Sequence, residues 1–402
     1  MIFACQRDSY LRSFKTRVVA CNPVVDESAG DVYEVVFEDT VLFPEGGGQP
    51  DDRGLVGDVP VLRVFRRAGE AVHVVCSAIA VGAEVEMSVD WKRRYDHMQQ
   101  HSGQHLITAL AEQHFDFLTT SWNLGEEVSF IELDAPMGVK EEDLRNLESL
   151  VNEKIRQGLP VHTNLYEAGS DALQSVRTRL KLPDGGGDVI RVVTIEGVDS
   201  NTCCGTHVSN LAHLQMVKLL YTEKGKQKKT NLYFLVGNRI LQYLDKTVSR
   251  EKVITSVLKC GPDDHASMAE KLSKSLKLAN KNLLTALRDL AVAEAKLVKQ
   301  QEPLSAFYTF HRREADAEFM AIFANELSDK DVLLFLTCGD EKGSGQFLVS
   351  GPENIVATTG PKVCELLDGK GFLKHGKFQG KARALSGRGK VEKLLMDMLD
   401  NK

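Results

Sequence analysis

The chain has 402 residues and 43% hydrophobic content, enough to bury more than one core. Lys and Arg total 50 against 56 Asp and Glu, a formal charge of -6, so no polycationic character marks it as a nucleic-acid binder; any RNA contact must come from local patches. The N-terminus lacks the apolar centre of a signal peptide, no apolar run approaches the ~18 residues of a membrane span, and eight cysteines are too sparse for a secreted disulfide scaffold, so the expectation is a cytoplasmic, soluble protein with reduced thiols and no membrane contact.

In chain order, β-branched runs at 16–21, 31–37 and 59–65, separated by Gly, Pro and Asp turns, predict a small, mainly β domain over residues 1–90. Within it, EGGGQPDDRG at 45–54 is a loop, because three successive glycines disfavour a helix or strand interior. From Trp91 to about Leu118 the periodicity is helical and sets His101 and His105 on one face. A second helix follows at 140–156, with the apolar stripe Leu144, Leu147, Val151, Ile155, and then a strand at 161–166 and a helix at 168–180. The β-branched run 189–195 is a buried strand leading into VDSNTCCGTHVSN, which carries Cys203, Cys204 and His207. A hairpin over 214–221 and 231–236 closes the region, its tip holding Lys224, Lys226, Lys228 and Lys229.

After Gly261 and Pro262 one long helix is expected over 263–301. Leu272, Leu276, Ala279, Leu283, Ala286, Leu290, Ala293 and Leu297 alternate spacings of four and three, a coiled-coil seam that could pair with a second chain or fold back on the preceding helix. The last hundred residues return to α/β texture, with strands at 332–337 and 347–350, a helix at 391–399, and between them the basic, glycine-spaced stretch KGFLKHGKFQGKARALSGRGK, expected as a loop.

The chemistry lies in two short motifs. HSGQH places two imidazoles at i and i+4, and CCGTH adds a thiol and a third imidazole at the same spacing, so that His101, His105, Cys203 and His207 offer three imidazole nitrogens and one sulfur, a donor set suited to tetrahedral Zn2+. Cys203 is preferred because its spacing to His207 repeats that of His101 to His105, although spacing alone admits Cys204. His97 and His114 are taken as non-ligands.

With LFPEGGGQPDDRG upstream, the motifs HMQQHSGQH and IRVVTIEGVDSNTCCGTHV resemble, in the same order, the three marks of the alanyl-tRNA synthetase editing domain. With no aminoacylation domain ahead of them, the chain resembles the long form of the free-standing alanyl-tRNA editing proteins. The likeness covers roughly residues 1–240, and the region beyond resembles the synthetase's own C-terminal part. The fold expected is therefore α+β: a small β-barrel-like domain (1–90), a zinc-containing α/β editing domain (91–240), a helical, coiled-coil linker (241–303) and a small C-terminal α/β domain (304–402). The resemblance implies hydrolysis of tRNA(Ala) mischarged with serine or glycine, sparing alanyl-tRNA(Ala). It implies Zn2+ on His101, His105, Cys203 and His207. It also implies that Gly46, Gly47, Gly48 and Gln49 line the substrate pocket and position water and carbonyl, with Thr40 supplying the hydroxyl that favours serine. Where the family has a second glycine in Cys-Gly-Gly-Thr-His, this chain has Cys204.

Serine is alanine plus a hydroxyl, and a pocket shaped for a methyl group excludes such isosteres by only ~10²-fold, so a second site must recognise the hydroxyl itself. Three other readings compete. One is a non-catalytic, zinc-stabilised tRNA-binding protein, since four protein ligands describe a closed site. Another is a metalloprotease, which HSGQH argues against by lacking the glutamate base after its first histidine. The last is editing of threonyl-type tRNA, disfavoured by the glycine loop upstream.

Overall fold

The computed structural model describes residues 2–26, 30–167, 189–301, 305–328 and 331–400, with Ser170, Leu173 and Val176 as isolated positions. The helix expected over 168–180 falls outside the continuously described residues. The chain divides into two compact units, Met1–Lys252 and Val253–Lys402.

The first unit opens with one helical turn, α1 (Ala4–Arg7), and six strands: β1 (Ser13–Asp26), β2 (Gly30–Phe37), β3 (Gly54–Val56), β4 (Val59–Arg67), β5 (Glu70–Val75) and β6 (Glu84–Val89). They form a closed barrel in the order β1-β2-β5-β4-β3-β6, with β6 paired back onto β1 from Ser13 opposite Ser88 to Arg17 opposite Glu84. Closure removes the unpaired edges that an open sheet would present. Inward positions carry Val35, Val64, Val75 and Met87, all fully buried, together with Val41, Leu42 and Phe43 from the segment after β2.

Helix α2 (Trp91–Phe115) starts at Asp90, whose carboxylate accepts from the Arg93 amide, and ends at Asp116 in the left-handed conformation. Arg94, 0% exposed, ties it to the barrel. Its Nε donates to Asp52 Oδ2 at 2.8 Å, its Nη1 to Ser9 O at 3.0 Å and its Nη2 to Val41 O at 2.5 Å. The same Asp52 oxygen accepts the Phe43 amide at 2.6 Å, so one buried ion pair locks the end of the glycine loop to the helix.

Beyond α2 come β7 (Thr119–Asn123), β8 (Ser129–Leu133), α3 (Glu141–Gln157), β9 (Val161–Glu167), β10 (Val189–Ile195), β11 (Asp199–Thr202), β12 (Val217–Lys224) and β13 (Thr230–Val236). They make a three-stranded sheet, β11-β10-β9, and a four-stranded one, β12-β13-β8-β7. Leu144, Leu147, Val151 and Ile155 of α3 are buried as their spacing predicts, and α3 ends at Gly158, φ 62°. One core joins this stripe to Met98, Leu106, Ile107 and Leu110 of α2 and to Val193, Leu232 and Phe234 of the sheets. Helix α4 (Asn238–Leu258) is anchored at its start by Arg239, whose Nε and Nη2 donate to the Asp96 carboxylate at 2.9 and 2.8 Å.

The second unit contains α5 (His265–Lys299), β14 (Phe307–Arg312), α6 (Ala317–Glu326), β15 (Leu333–Gly339), β16 (Gly345–Ser350), α7 (Glu353–Leu366), β17 (Gly369–Lys374), β18 (Lys377–Ala382) and α8 (Arg388–Asp400). Its sheet runs β14-β15-β16-β18-β17 and is covered on both faces: Leu334, Leu336 and Leu348 pack with α5 and α6, whereas Leu333, Phe335 and Phe347 pack with α7 and α8.

Two expectations are met only in part. The long helix forms, but no coiled coil is identified among the described residues. The residues α5 buries are Leu287, Ala291, Ala295 and Val298, a stripe that differs from the heptad seam, while Leu272, Leu276, Leu283 and Leu297 are exposed. One face of the sheet and α6 select the buried stripe, and a periodic pattern cannot say which of two apolar stripes finds a neighbour. The basic glycine-spaced stretch, in turn, contains the hairpin β17–β18, not only loop. Its glycines make room for neighbours: a Cβ at Gly380 would sit 2.2 Å from Lys370 O and 2.8 Å from the Phe347 ring. Among the described residues no helix is long and apolar enough to cross a membrane.

Candidate metal centre and adjoining recess

His101 and His105 project from α2, while Cys203 and His207 follow β11. Their donor atoms all lie within 4.8 Å of one another. Ring centroids are 5.1 Å apart for His101 and His105, 4.5 Å for His101 and His207, and 4.7 Å for His105 and His207. Cys203 Sγ stands 3.4 Å from His101 Nε2 and 3.2 Å from His207 Nε2. Of the two adjacent thiols it is therefore Cys203 that meets the imidazoles. His97 is buried outside this cluster and His114 is exposed.

The surroundings fix each donor. His101 Nδ1 donates to Gln49 Oε1 at 2.9 Å, which leaves Nε2 with its lone pair toward the thiol. Gln49 is itself held at both ends, its Nε2 donating to Thr206 Oγ1 at 2.8 Å and its Oε1 accepting the Thr206 amide at 2.9 Å. His207 Nδ1 pairs with Ser102 Oγ at 3.0 Å, and Ser102 Oγ also accepts the Val208 amide at 3.1 Å. Arg191 Nη1 donates to Cys203 O at 2.6 Å, and Gln6 Nε2 to Cys204 O at 2.7 Å, so β10 and α1 clamp the cysteine pair. The chain must pass close to the histidine helix: a Cβ at Gly205 would lie 2.2 Å from His101 Cε1. That close approach is why CCGTH needs its glycine.

Charge considerations agree with a cation at the centre. Burial first, then the neighbouring imidazoles (His105 for His101, His101 and His105 for His207) and Arg191, hold His101 and His207 neutral to well below the usual imidazole range, keeping their lone pairs available. Burial, and then the neighbouring Cys204, push the Cys203 thiol up to about 12. A thiolate there requires compensating positive charge, and Arg191, followed by the Gly205 amide donating to its sulfur at 3.4 Å, offsets only part of the cost of burial. Three imidazoles and one thiol convergent at one point fit Zn2+ in donor type and number.

Beside the cluster lies a small recess, partly open to solvent, lined by Gly47, Gln104, His105, Trp122, Asn201, Thr202, Cys203 and Cys204. The glycine segment forms a tight turn, with the Gly46 and Gln49 amides each donating to the other's carbonyl at 3.1 Å. Gly47 and Gly48 adopt φ 62° and 79°. Gly48 leaves no room for a side chain beside Trp122, since a Cβ there would fall 2.3 Å from the indole Nε1, and that Nε1 donates to Gly47 O at 3.1 Å. Of the expected substrate residues, Gly47 reaches the recess. Gln49 does not; its polar atoms are spent behind the metal cluster on His101 and Thr206, where it acts as a positioning residue. Thr40 is also elsewhere. It is 1% exposed inside the barrel, donating to His73 Nε2 at 2.8 Å and accepting the Leu42 amide at 3.0 Å. The barrel's need to satisfy a buried histidine takes the hydroxyl that the resemblance assigned to serine. Gln104, Trp122, Asn201 and Thr202 carried no separate signal in the sequence, because what marks them is a shared concavity assembled from three distant segments.

The metal-type cluster thus joins helix α2 to the loop after β11, with the glycine turn between β2 and β3 beside it. Residues 190–236, which include Cys203 and His207, match the family model described as the threonyl and alanyl tRNA synthetase second additional domain. The likeness extends along the chain. It is 52% identical over 405 residues to the alanyl-tRNA editing protein Aarsd1 of Mus musculus, covering 99% of this chain and 98% of that one. It is 51% identical over 408 residues to alanyl-tRNA editing protein Aarsd1-B of Xenopus laevis, covering 100% and 98%. To alanyl-tRNA editing protein AlaX-L of Pyrococcus horikoshii it is 28% identical over 285 residues, 68% of this chain and 67% of that one. The chain belongs to the free-standing alanyl-tRNA editing proteins.

Proposed function

We propose that the chain is a trans-acting deacylase that hydrolyses the ester of tRNA(Ala) mischarged with serine, and also glycine, while sparing alanyl-tRNA(Ala). The observation that carries this reading is the position of the His101, His105, Cys203, His207 cluster against a solvent-open recess that the glycine turn also lines through Gly47. We assign these four residues as the zinc ligands. Zinc bound there supplies Lewis acidity and positive charge at the recess wall. The protein's own groups do the positioning. Among the described residues the Gly47 and Gly48 amides make no hydrogen bond, so the turn has donors to offer a carbonyl oxygen that becomes negative as water attacks. The Trp122 indole fixes that turn through its bond to Gly47 O.

A closed set of four donors also suits a purely structural metal, which keeps the non-catalytic tRNA-binding reading in play. Deacylation assays on seryl-, glycyl- and alanyl-tRNA(Ala) separate the two, using wild type and Cys203→Ala with zinc content measured in parallel. The proposal expects rapid loss of seryl and glycyl esters, persistence of the alanyl ester, and loss of both zinc and hydrolysis in Cys203→Ala. Wild-type protein that binds tRNA yet leaves the seryl ester intact would establish the structural reading.

The same proposal takes the chain as four functional parts, 1–90, 91–240, 241–303 and 304–402. It assigns the exposed Leu272, Leu276 and Leu283 of α5 to coiled-coil pairing in a homodimer, supported by their exposure and heptad spacing.

A further inference from the structure

Gln104 stands between the two histidines in HSGQH, yet it serves neither. It is 3% exposed and lines the recess beside His105. Its Nε2 donates to Thr108 Oγ1 at 3.0 Å, and Thr108 Oγ1 pairs in turn with Thr119 Oγ1 at 3.1 Å. Its Oε1 is buried and has no hydrogen-bond partner among the described residues. Of the residues lining the recess, it is the one with a buried polar side-chain atom left unpaired. Burying an acceptor without a donor is unfavourable, and native proteins seldom retain such an atom unless a water, an ion or a functional role accounts for it.

We propose that Gln104 is the specificity-determining residue for serine, its side-chain amide hydrogen-bonding the hydroxyl of the seryl group in the recess. Three observations converge on this assignment. The expected hydroxyl partner, Thr40, is fully committed to His73 and the Leu42 amide within the barrel. The other expected polar side chain, Gln49, is committed to His101 and Thr206. Gln104 is neutral, so it matches a neutral hydroxyl, and the assignment does not depend on which way its amide is turned. As placed, Oε1 is buried rather than open to the recess, and it turns to accept the serine O–H as that group enters; with the amide reversed, Thr108 donates to Oε1 and the free NH2 donates to the serine oxygen. An alanyl group offers neither partner and leaves the amide unpaired, which is the condition under which a hydrogen-bonding site rejects an analogue that lacks the hydroxyl.

The inference rests on the deacylase reading above, and its test separates the two. Zinc-loaded full-length wild type, Gln104→Met and Gln104→Asn are assayed on tRNA(Ala) carrying serine, glycine or 2-aminobutyrate, the last matching serine in size without its hydroxyl. Wild type is expected to favour seryl over 2-aminobutyryl ester, and Gln104→Met to lower kcat/KM for the seryl ester by about ten- to a hundredfold while changing the glycyl ester by less than about threefold. Rates are compared as the seryl-to-glycyl ratio within one preparation, so a partly inactive sample cancels; Gln104→Asn, which withdraws the amide by one methylene, gives the same ratio if the methionine variant is inactive. An equal fall on both esters would mean that Gln104 holds the α-amino group common to them, and would overturn the assignment. Equal wild-type rates on seryl and 2-aminobutyryl esters would overturn it as well. Absence of seryl deacylation in wild type would instead remove the deacylase reading itself.

Discussion

Helices α2 and α5 show opposite relations between pattern and burial. Along α2 the fully enclosed positions include Arg94, Gln99, Gln100, His101, Ser102 and Gln104, a set that ordinary hydrophobicity would place outside. Along α5 the heptad leucines Leu272, Leu276 and Leu283 are exposed. Polar residues enter an interior when each finds a designated partner, as Arg94 does in Asp52, Gln100 in the backbone of Val236 and His101 in Gln49. Apolar ones leave the solvent only when a neighbour is there to cover them. Burial in α2 is thus decided by complementarity, and in α5 by supply of surface.

The contrast can be broken most forcefully at Arg94. Arg94→Ala strands the Asp52 carboxylate in the barrel wall, and urea unfolding is expected to show a loss of about 3–5 kcal/mol, with the double variant Arg94→Met/Asp52→Leu recovering most of it. A loss below about 1 kcal/mol would mean that water or movement relieves the isolated charge.

Next in size is a pH effect on the buried imidazoles. Burial takes His73 down to about 4, and burial together with Arg93 takes His97 down to about 3, against an ordinary value of 6.5. The folded state therefore binds fewer protons than the unfolded one below pH 6.5. The stability tied to His73 is complete above that value and disappears as pH falls toward 4, about 3 kcal/mol in all. Over the same window His97→Leu should flatten the slope of stability against pH by about 1.4 kcal/mol per unit, measured by chemical denaturation at successive pH values. An unchanged slope would show His97 already charged in the fold.

Gln49→Leu is a gentler perturbation, because it removes the acceptor that orients His101 without removing a ligand. Competition with a chelator should find zinc affinity reduced ~10- to 100-fold, with the barrel intact by circular dichroism. Smallest of all is Leu276→Gln on the exposed face of α5, expected to shift stability by less than about 0.5 kcal/mol in dilute protein. A larger shift that grows with protein concentration would instead mark that face as the homodimer surface.

Much of this was legible before any fold was known. Strand segments in the first ninety residues, the α3 stripe, the long helix of the second unit and the meeting of two four-residue spacings all follow from local rules of period and donor chemistry. The sequence by itself determined which atoms could gather a metal, because HSGQH constrains two imidazoles on a helix and CCGTH repeats the spacing with a thiol. Only the tertiary structure decided which of two adjacent cysteines meets the imidazoles, which stripe of α5 is covered, and that Thr40 and Gln49 spend their hydrogen bonds away from the recess while Gln104 keeps one in reserve. Those outcomes depend on partners 33 to 198 residues away in the chain, as with His73 for Thr40 and Gln6 for the Cys204 carbonyl. A polar side chain's role is set by the neighbours that satisfy it, and local sequence specifies the side chain without specifying those neighbours.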